Sequence, residues 1–306
     1  MTFMKNIRQE GLHGRADIHV HTRYSGFGKY AFLHFPDSVT DPIKAVAAAQ
    51  RKKLDVLCIT DHDTIRGSII AKKNAGNIDV VAGEEITSAD GEILALFIPE
   101  EIKPGLGAAE TIDKIHSQGG IVIAPHPFSP QCPSLESKIF NLKLDGVEVF
   151  NAYHRDRYSN LIAQRLSLGK LARVGSSDAH TLGMIGNGYT AFKGNTGEEL
   201  RKAILKGEVS FGGNKTPLSE CMLWSREAAN EIIKMIYSSM KGEKNNDVLY
   251  SQIDKIKKRN KAIGLIGAGT YVGLHLSFFA GILGDLVLSV KSRRKWNEVQ
   301  NLMVNR

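Results

Sequence analysis

The feature that most narrows the fold of this chain is a repeated unit, a short apolar strand whose last residues run into a cluster of histidines and carboxylates. Leu54-Asp55-Val56-Leu57-Cys58-Ile59 ends in Thr60-Asp61-His62-Asp63. Further strands are expected at Ile78 to Ala82, Ile93 to Ile98, Ile121 to Ala124, Gly146 to Phe150 and Leu171 to Val174. Helical stretches separate some of them: Ile43 to Lys53, with an Asp41-Pro42 start, Ala108 to Ser117 and Ser159 to Ser167. Such alternation predicts parallel strands joined by crossover helices. Asp61-His62, Glu84-Glu85, His126 and Asp178-Ala179-His180 fall at or just beyond C-terminal strand ends. In a β/α barrel those ends share one rim, so a single mouth would collect them.

The stretch Ala16-Asp17-Ile18-His19-Val20-His21-Thr22 supplies the densest cluster. In an extended strand Asp17, His19 and His21 face one way and Ile18 and Val20 the other. Neutral imidazole with carboxylate suits Zn, Mn or Fe, whereas one HxH alone is equally a buried, hydrogen-bonded pair.

Composition removes several classes. With 306 residues and 42% hydrophobic side chains the chain can bury a full core. Cys58, Cys132 and Cys221 lie far apart without a CxxC, which suggests neither a disulfide framework nor a thiolate zinc site and favours a reducing compartment. Met1 to Gly14 is charged and lacks an apolar run, against a secretory signal. From Lys255 onward ten Lys or Arg face only Asp285 and Glu298, which accounts for the whole net charge of +8. The preceding part is neutral overall, so no basic surface for a polynucleotide is required there. There is no nucleophilic serine elbow. Gly267-Ala-Gly269-Thr-Tyr-Val-Gly273 has one residue too many for a dinucleotide fingerprint and too little chain after it for a Rossmann domain.

Six stretches in order, Asp17-Ile-His-Val-His-Thr, Thr60-Asp-His-Asp-Thr, Gly83-Glu-Glu-Ile-Thr, Ala124-Pro-His-Pro, Gly146-Val-Glu-Val-Phe-Asn and Gly175-Ser-Ser-Asp-Ala-His, resemble the PHP (polymerase and histidinol phosphatase) family of metal-dependent phosphoesterases. The resemblance covers about residues 15 to 192. It implies an α/β fold, a distorted (β/α)7 TIM-like barrel, with two or three divalent metal ions (Zn, Mn or Fe) at its rim. By position it makes His19, His21 and Asp178 ligands of one metal, Glu85 a bridge to a second held also by His126, and His62 and His180 ligands of a third. Glu85 rather than Glu84 fits the family's Gly-x-Glu-Ile pattern. Asp61 is expected to orient a ligand from behind. The metal-bridging lysine of amidohydrolases has no clear counterpart.

Three departures from the family pattern stand out. The acidic ligand that often follows HxHT is missing around Tyr24-Ser25-Gly26-Phe27, leaving His34 or Asp37 as substitutes or the third metal weak. Where many relatives have Gly-His, this chain has Gly91-Glu92-Ile93, and Glu92 is either a ligand or a solvated strand-entry charge. His154 is the candidate for the last ligand of the second metal, with a surface histidine beside Arg155 and Arg157 as the alternative. For the substrate's phosphoryl group Arg23 is the first candidate, with Lys29 and Arg66 behind it.

Ala262 to Val290 is nearly continuous apolar sequence with basic residues on both flanks. One membrane span, a re-entrant or interfacial hairpin on an anionic cytoplasmic surface, and a buried hairpin in an oligomer all fit such a stretch. The expected organisation is a barrel over 1–218 and a helical tail over 219–306 carrying a membrane-associated segment at 262–290, with the barrel cytoplasmic. The expected reaction is hydrolysis of a phosphate mono- or diester by metal-activated water, on a small phosphorylated metabolite, a nucleotide or the end of a short nucleic acid. The alternative is a PHP-like module of reduced metal occupancy serving as a membrane-attached binding scaffold. Oligomeric state is not legible.

Overall fold

The apolar runs assemble into one nine-stranded sheet that curls toward closure. The computed structural model describes residues 11–30, 33–156, 158–166, 169–273 and 276–304. The strands are β1 (Gly14–Asp17), β2 (Phe27–Tyr30), β3 (Leu33–Pro36), β4 (Val56–Ile59), β5 (Asp79–Ser88), β6 (Gly91–Leu96), β7 (Ile121–Ala124), β8 (Gly146–Asn151), β9 (Ala172–Ser176), β10 (Gly188–Phe192) and β11 (Ser210–Gly213). In the sheet their order is β11-β10-β1-β4-β5-β6-β7-β8-β9, while β2 and β3 form a separate hairpin. The Thr190 hydroxyl on β10 donates to the Gly175 carbonyl on β9 at 2.7 Å and accepts from the Gly175 amide at 3.1 Å, tying the two ends together. Seven strands, β1 and β4 to β9, thus form the TIM-like barrel wall, with β10 and β11 added beside β1 and β9. Ile18, Leu94, Leu96, Ile123, Val174 and Phe192 are buried in one core cluster within it.

The helices are α1 (Pro42–Arg51), α2 (Arg66–Lys72), α3 (Ala108–Ser117), α4 (Ser159–Arg165), α5 (Gly197–Lys206), α6 (Leu218–Lys241), α7 (Val248–Asp254), α8 (Lys258–Gly273) and α9 (Leu276–Val304). Asp41 caps α1 by accepting from the Ile43 and Lys44 amides, as Asp-Pro at a helix start should.

The expectation of parallel strands throughout is corrected at β6. Only Ala89 and Asp90 separate β5 from β6, too few for the dozen or so residues of a crossover, so the chain turns back and β6 runs antiparallel to both β5 and β7. This reversal carries the start of β6 to the rim where β5 ends. Thr87 pairs with Glu92, and alternation puts Glu92 on the face that carries Glu85.

From Leu218 most of the described residues lie in α6 to α9. Trp224 of α6 donates from Nε1 to the Asp37 carbonyl at 2.7 Å. Asp285 of α9 accepts from Arg155 Nε and Nη2 at 3.1 and 2.9 Å. Lys295 bonds the Ser129 carbonyl at 2.7 Å. The lone acid of the apolar stretch is therefore spent on a barrel contact. No helix among the described residues is long and apolar enough to cross a membrane, and residues 274–275, within that stretch, lie outside them.

Candidate metal centre

The site is built at the barrel rim by loops following β1, β4, β7 and β9 and by the β5–β6 hairpin. His19 and His21 project from the extended segment after β1 and are buried. Their Nε2 atoms stand 3.1 Å apart. Glu85 Oε2 lies 3.2 Å from each, and Asp178 Oδ1 lies 3.5 and 3.4 Å from them. A tetrahedron whose corners are about 2.0–2.1 Å from its centre, as for nitrogen and oxygen on zinc, has edges of roughly 3.3–3.4 Å. These five separations match five of the six edges of such a figure, and the donors that converge together are His19, His21 and Glu85 on one side and His19, His126 and Asp178 on the other. The donor set fits a divalent ion.

Glu85 serves two sides. Its Oε2 faces His19 and His21 and also His62 Nδ1 at 3.4 Å, while Oε1 accepts from His126 Nε2 at 3.0 Å. On that second side Glu92 Oε2 is 3.6 Å from His126 Nε2, and Cys132 offers its Sγ within 4.8 Å of both residues' donor atoms. The remaining nitrogen of His126, Nδ1, is buried without a hydrogen-bond partner. On the third side Asp37 Oδ1 stands 3.4 Å from His180 Nε2 and 3.9 Å from His62 Nε2. Asp37 follows the β2–β3 hairpin, whose fold returns the chain so that the Asp37 amide bonds the Gly26 carbonyl at 2.9 Å. The carboxylate missing from the sequence beside Gly26 is thus supplied eleven positions later. His34's side chain lies outside the described residues.

Charge follows this geometry. Burial and nearby His180 disfavour a charged His21, but contacts with Asp178, Glu85 and Asp37 outweigh them and hold it up at about 9. His126 reaches about 9 in the same way, burial being overcome by Glu85, Glu92 and Asp178. Burial raises Asp37, yet His180, His62 and His21 bring it well below the usual carboxylate range. Burial, then the Glu85 charge, pushes Glu92 up to about 7. Four carboxylates, Asp37, Glu85, Glu92 and Asp178, thus draw positive charge into a buried space, which is the demand a cation meets.

The supporting groups are equally specific. Glu148 Oε2 accepts from the His126 amide at 2.7 Å and from Asn151 Nδ2 at 2.9 Å, while Oε1 meets His19 Nδ1 at 3.3 Å and the Ser176 hydroxyl. Asn151 also donates to Asp178 Oδ2 at 3.0 Å. His126 and Asp178 adopt φ of 27° and 51°, backbone that side chains other than glycine rarely take, and these bonds hold them there. Asp61 accepts from the Thr22 amide at 2.5 Å, the Thr22 hydroxyl at 2.8 Å and the Ser25 hydroxyl at 3.0 Å, and Ser25 in turn meets His21 Nδ1 at 3.0 Å. Asp61 therefore acts on His21 through Ser25.

The structure brings His19, His21, His62, Glu85, His126, Asp178 and His180 together at one rim. It does not bring Arg23 there, because Arg23 Nη2 pairs with Asp247 at 3.0 Å and Glu231 at 3.4 Å beneath the tail helices. Arg66 lies over the Tyr24 ring at 5.5 Å. Lys29's side chain lies outside the described residues. His154 stacks flat behind His126, centroids 5.5 Å apart, with Nε2 4.0 Å from Cys132 Sγ. Asp17 leaves the cluster as well, accepting from the Ser177 amide at 3.0 Å and the Gly186 amide at 2.8 Å, so it braces the loop that carries Asp178. Sequence reasoning did not weigh Cys132, which the fold brings beside Glu92 and His126, and gave Glu148 no role; for Glu148 the signal was an acid inside an otherwise apolar strand.

A cavity of about 400 Å³ opens over these residues and is also lined by Phe27, Gln131 and Tyr153. A second, of about 220 Å³, adjoins it across Gln131 and Tyr153 and is walled by Trp224, Tyr271 and Leu288 of the tail. Tyr153 and Trp224 pack on the His180 ring at 5.2 and 5.4 Å.

Comparison with known proteins agrees with this architecture. A PHP-associated family model matches residues 160–209. Uncharacterized protein MJ1587 of Methanocaldococcus jannaschii is 53% identical over 151 residues, covering 49% of this chain and 88% of that protein. Uncharacterized protein MJ1588 of the same organism is 34% identical over 119 residues, 38% of this chain and all of that one. Among solved structures, a two-domain protein from Bacteroides vulgatus containing a predicted PHP-like metal-dependent phosphoesterase superposes with a TM-score of 0.53 at 19% identity, over 67% of this chain and 66% of that chain. With its barrel, the ordered motifs and the rim they build, the chain belongs to the PHP family.

Proposed function

We propose that this protein is a metal-dependent phosphoesterase that hydrolyses a phosphate mono- or diester at the barrel rim. The observation that carries the reading is that Glu85 and Asp178 each place a carboxylate oxygen 3.2–3.5 Å from the facing His19 and His21 nitrogens, with Glu85 also meeting His126. Divalent ions in such a site lower the pKa of water and neutralise phosphoryl oxygens in an in-line displacement. The chain's own residues hold and orient them: Glu148 and Ser25 fix the imidazoles, and Asn151 fixes Asp178.

None of the described residues lining the rim cavity is a lysine or arginine. Bound cations would supply charge neutralisation of the phosphoryl group there, which supports metal dependence. The adjoining cavity walled by Trp224, Tyr271 and Leu288 has the size and aromatic lining for the organic part of a small ester, and favours a nucleotide or phosphorylated metabolite over a long polynucleotide. The scaffold reading loses its support once Asp37 stands beside His62 and His180.

The test is phosphate release by the full chain from nucleotides, phosphorylated metabolites and short RNAs with Mn or Zn added. Turnover is expected, and His19→Ala or Asp178→Ala should abolish it with the circular dichroism unchanged. Full turnover in both variants would overturn the assignment.

The tail's exposed apolar residues, among them Ile263, Ile266, Leu283, Leu286 and Val290, lie between exposed basic runs at Lys255 to Arg259 and Lys291 to Arg294. That pairing supports attachment to an anionic membrane surface without crossing it. Salt-sensitive sedimentation with phosphatidylserine vesicles is expected. Absence of binding, with a stable dimer in solution, would assign the face to a second copy of the chain.

A further inference from the structure

On the second side Glu85 Oε1 and Glu92 Oε2 stand 3.0 and 3.6 Å from His126 Nε2, and two residues of that wall, His154 and Cys132, could add a further donor. His154 does not. Its ring lies parallel to that of His126 at an interplanar angle of 4°, Nδ1 is 4.0 Å from Asp156 Oδ2, and among the described residues it is not one of the donors that converge with Glu92 and His126. Cys132 does face the space. Its Sγ lies with Glu92 and His126 within 4.8 Å, and the residue lines the rim cavity.

The loop is built to present it. The Ser129 hydroxyl accepts from the Gln131 and Cys132 amides at 3.0 and 2.9 Å, and the Ser134 hydroxyl donates to the His126 and Cys132 carbonyls at 2.9 and 3.1 Å. These bonds lock residues 129–134 against the strand end that carries His126. His154 Nε2, 4.0 Å from Sγ, stands where it can support the sulfur from behind.

Resting on the reading of this rim as a metal centre, we infer that Cys132 is a thiolate ligand of its second ion, together with Glu92 and His126. Binding converts the thiol to thiolate and releases its proton to solvent, with no change in oxidation state. One sulfur among oxygen and nitrogen donors biases this position toward zinc or ferrous iron and away from manganese or magnesium. Cys132 is only partly covered, so a reagent can reach it when the ion is absent.

The test is X-ray absorption at the zinc edge on the full chain loaded with two equivalents of zinc. A sulfur shell at about 2.3 Å beside the lighter donors is expected. It should vanish in Cys132→Ser and persist in Cys221→Ser. Because Cys132→Ser could disturb the loop, alkylation of the unaltered chain by iodoacetamide, mapped by mass spectrometry, provides a second readout: zinc should slow modification of Cys132 at least tenfold. Zinc bound through nitrogen and oxygen alone, a sulfur shell that survives in Cys132→Ser, or equal alkylation with zinc bound would each overturn the thiolate. If phosphate esters are still hydrolysed in those cases, the hydrolase reading stands without it. Sulfur-bound zinc with no turnover would retain the ligand and remove the hydrolase, and failure to take up zinc would overturn both.

Discussion

Replacing Asp61 separates support of the site from support of the fold. The carboxylate is fully buried and accepts three hydrogen bonds, two from Thr22 and one from the Ser25 hydroxyl that meets His21. Hydrogen bonds to a charged group are worth about 1.5–3 kcal/mol each. Burial raises the Asp61 pKa, so part of that gain is offset by the cost of keeping the group ionised. Asp61→Ala, which leaves three donors with no acceptor, should therefore cost about 3–4 kcal/mol, and at about 2–4 °C per kcal/mol the Tm should fall by roughly 6–16 °C. Asp61→Asn keeps the shape and most of the bonds, and should cost about 1 kcal/mol or less. It should nevertheless weaken metal binding by about 10–100-fold, because Ser25 no longer leans on a full charge when it fixes His21. Thermal unfolding followed by circular dichroism and zinc titration of the same samples give both numbers. An Asp61→Asn variant with unchanged zinc affinity would refute the relay through Ser25, and an Asp61→Ala variant with unchanged Tm would refute the whole cradle.

Gly67 of α2 lets that cradle form, since a Cβ there would stand 2.0 Å from Asp61 Oδ2 and 2.6 Å from Thr22 Oγ1. Gly67→Ala should displace the carboxylate at a cost of about 1–3 kcal/mol and reproduce the zinc defect of Asp61→Asn; normal affinity would show that the helix can retreat. Glu84 faces away from the rim, with Oε2 on the Ile102 amide and Oε1 unpartnered, and burial pushes it up to about 8 from 4.5. A raised acid holds its proton longer when folded, so its penalty grows from pH 4.5 to about 8 and is absent below. The Tm advantage of Glu84→Gln over wild type should therefore be near zero at pH 4.5 and largest at pH 8, and a constant difference would refute the assignment. Divalent metal at a hundred times its Kd should stabilise by about 2.7 kcal/mol, or roughly 5–10 °C in Tm, reversibly with a chelator. A Tm indifferent to zinc and manganese would argue against any resident ion.

Several site residues were legible because their positions are local consequences of the chain. His19 and His21 share an edge through simple alternation, and Glu85 rather than Glu84 faces inward for the same reason. Asp37 and Glu92 were ambiguous as sequence. One is delivered by the β2–β3 hairpin and the other by a reversed strand, so each depends on where a turn sends the chain rather than on the residues beside it. Arg23 directly follows the HxHT stretch and invited a substrate role, but nothing within that stretch foretold that Asp247 and Glu231, more than 200 positions on, would claim its guanidinium. Cys132 was not weighed as sequence because the Ser129 and Ser134 hydroxyls that fix its loop beside Glu92 and His126 act only once the chain is folded.

By itself the sequence determined the barrel class and the gathering of its histidines and carboxylates at strand ends, because strand periodicity and apolar patterning are short-range and redundant. Tertiary structure alone decided the membership of each donor group, the closing of the site by Trp224 of the tail, and the use of Asp285 on Arg155 rather than within an apolar span. Those outcomes turn on charges and rings that lie from tens to more than a hundred positions apart in the chain, at separations of a few ångströms that no local pattern encodes.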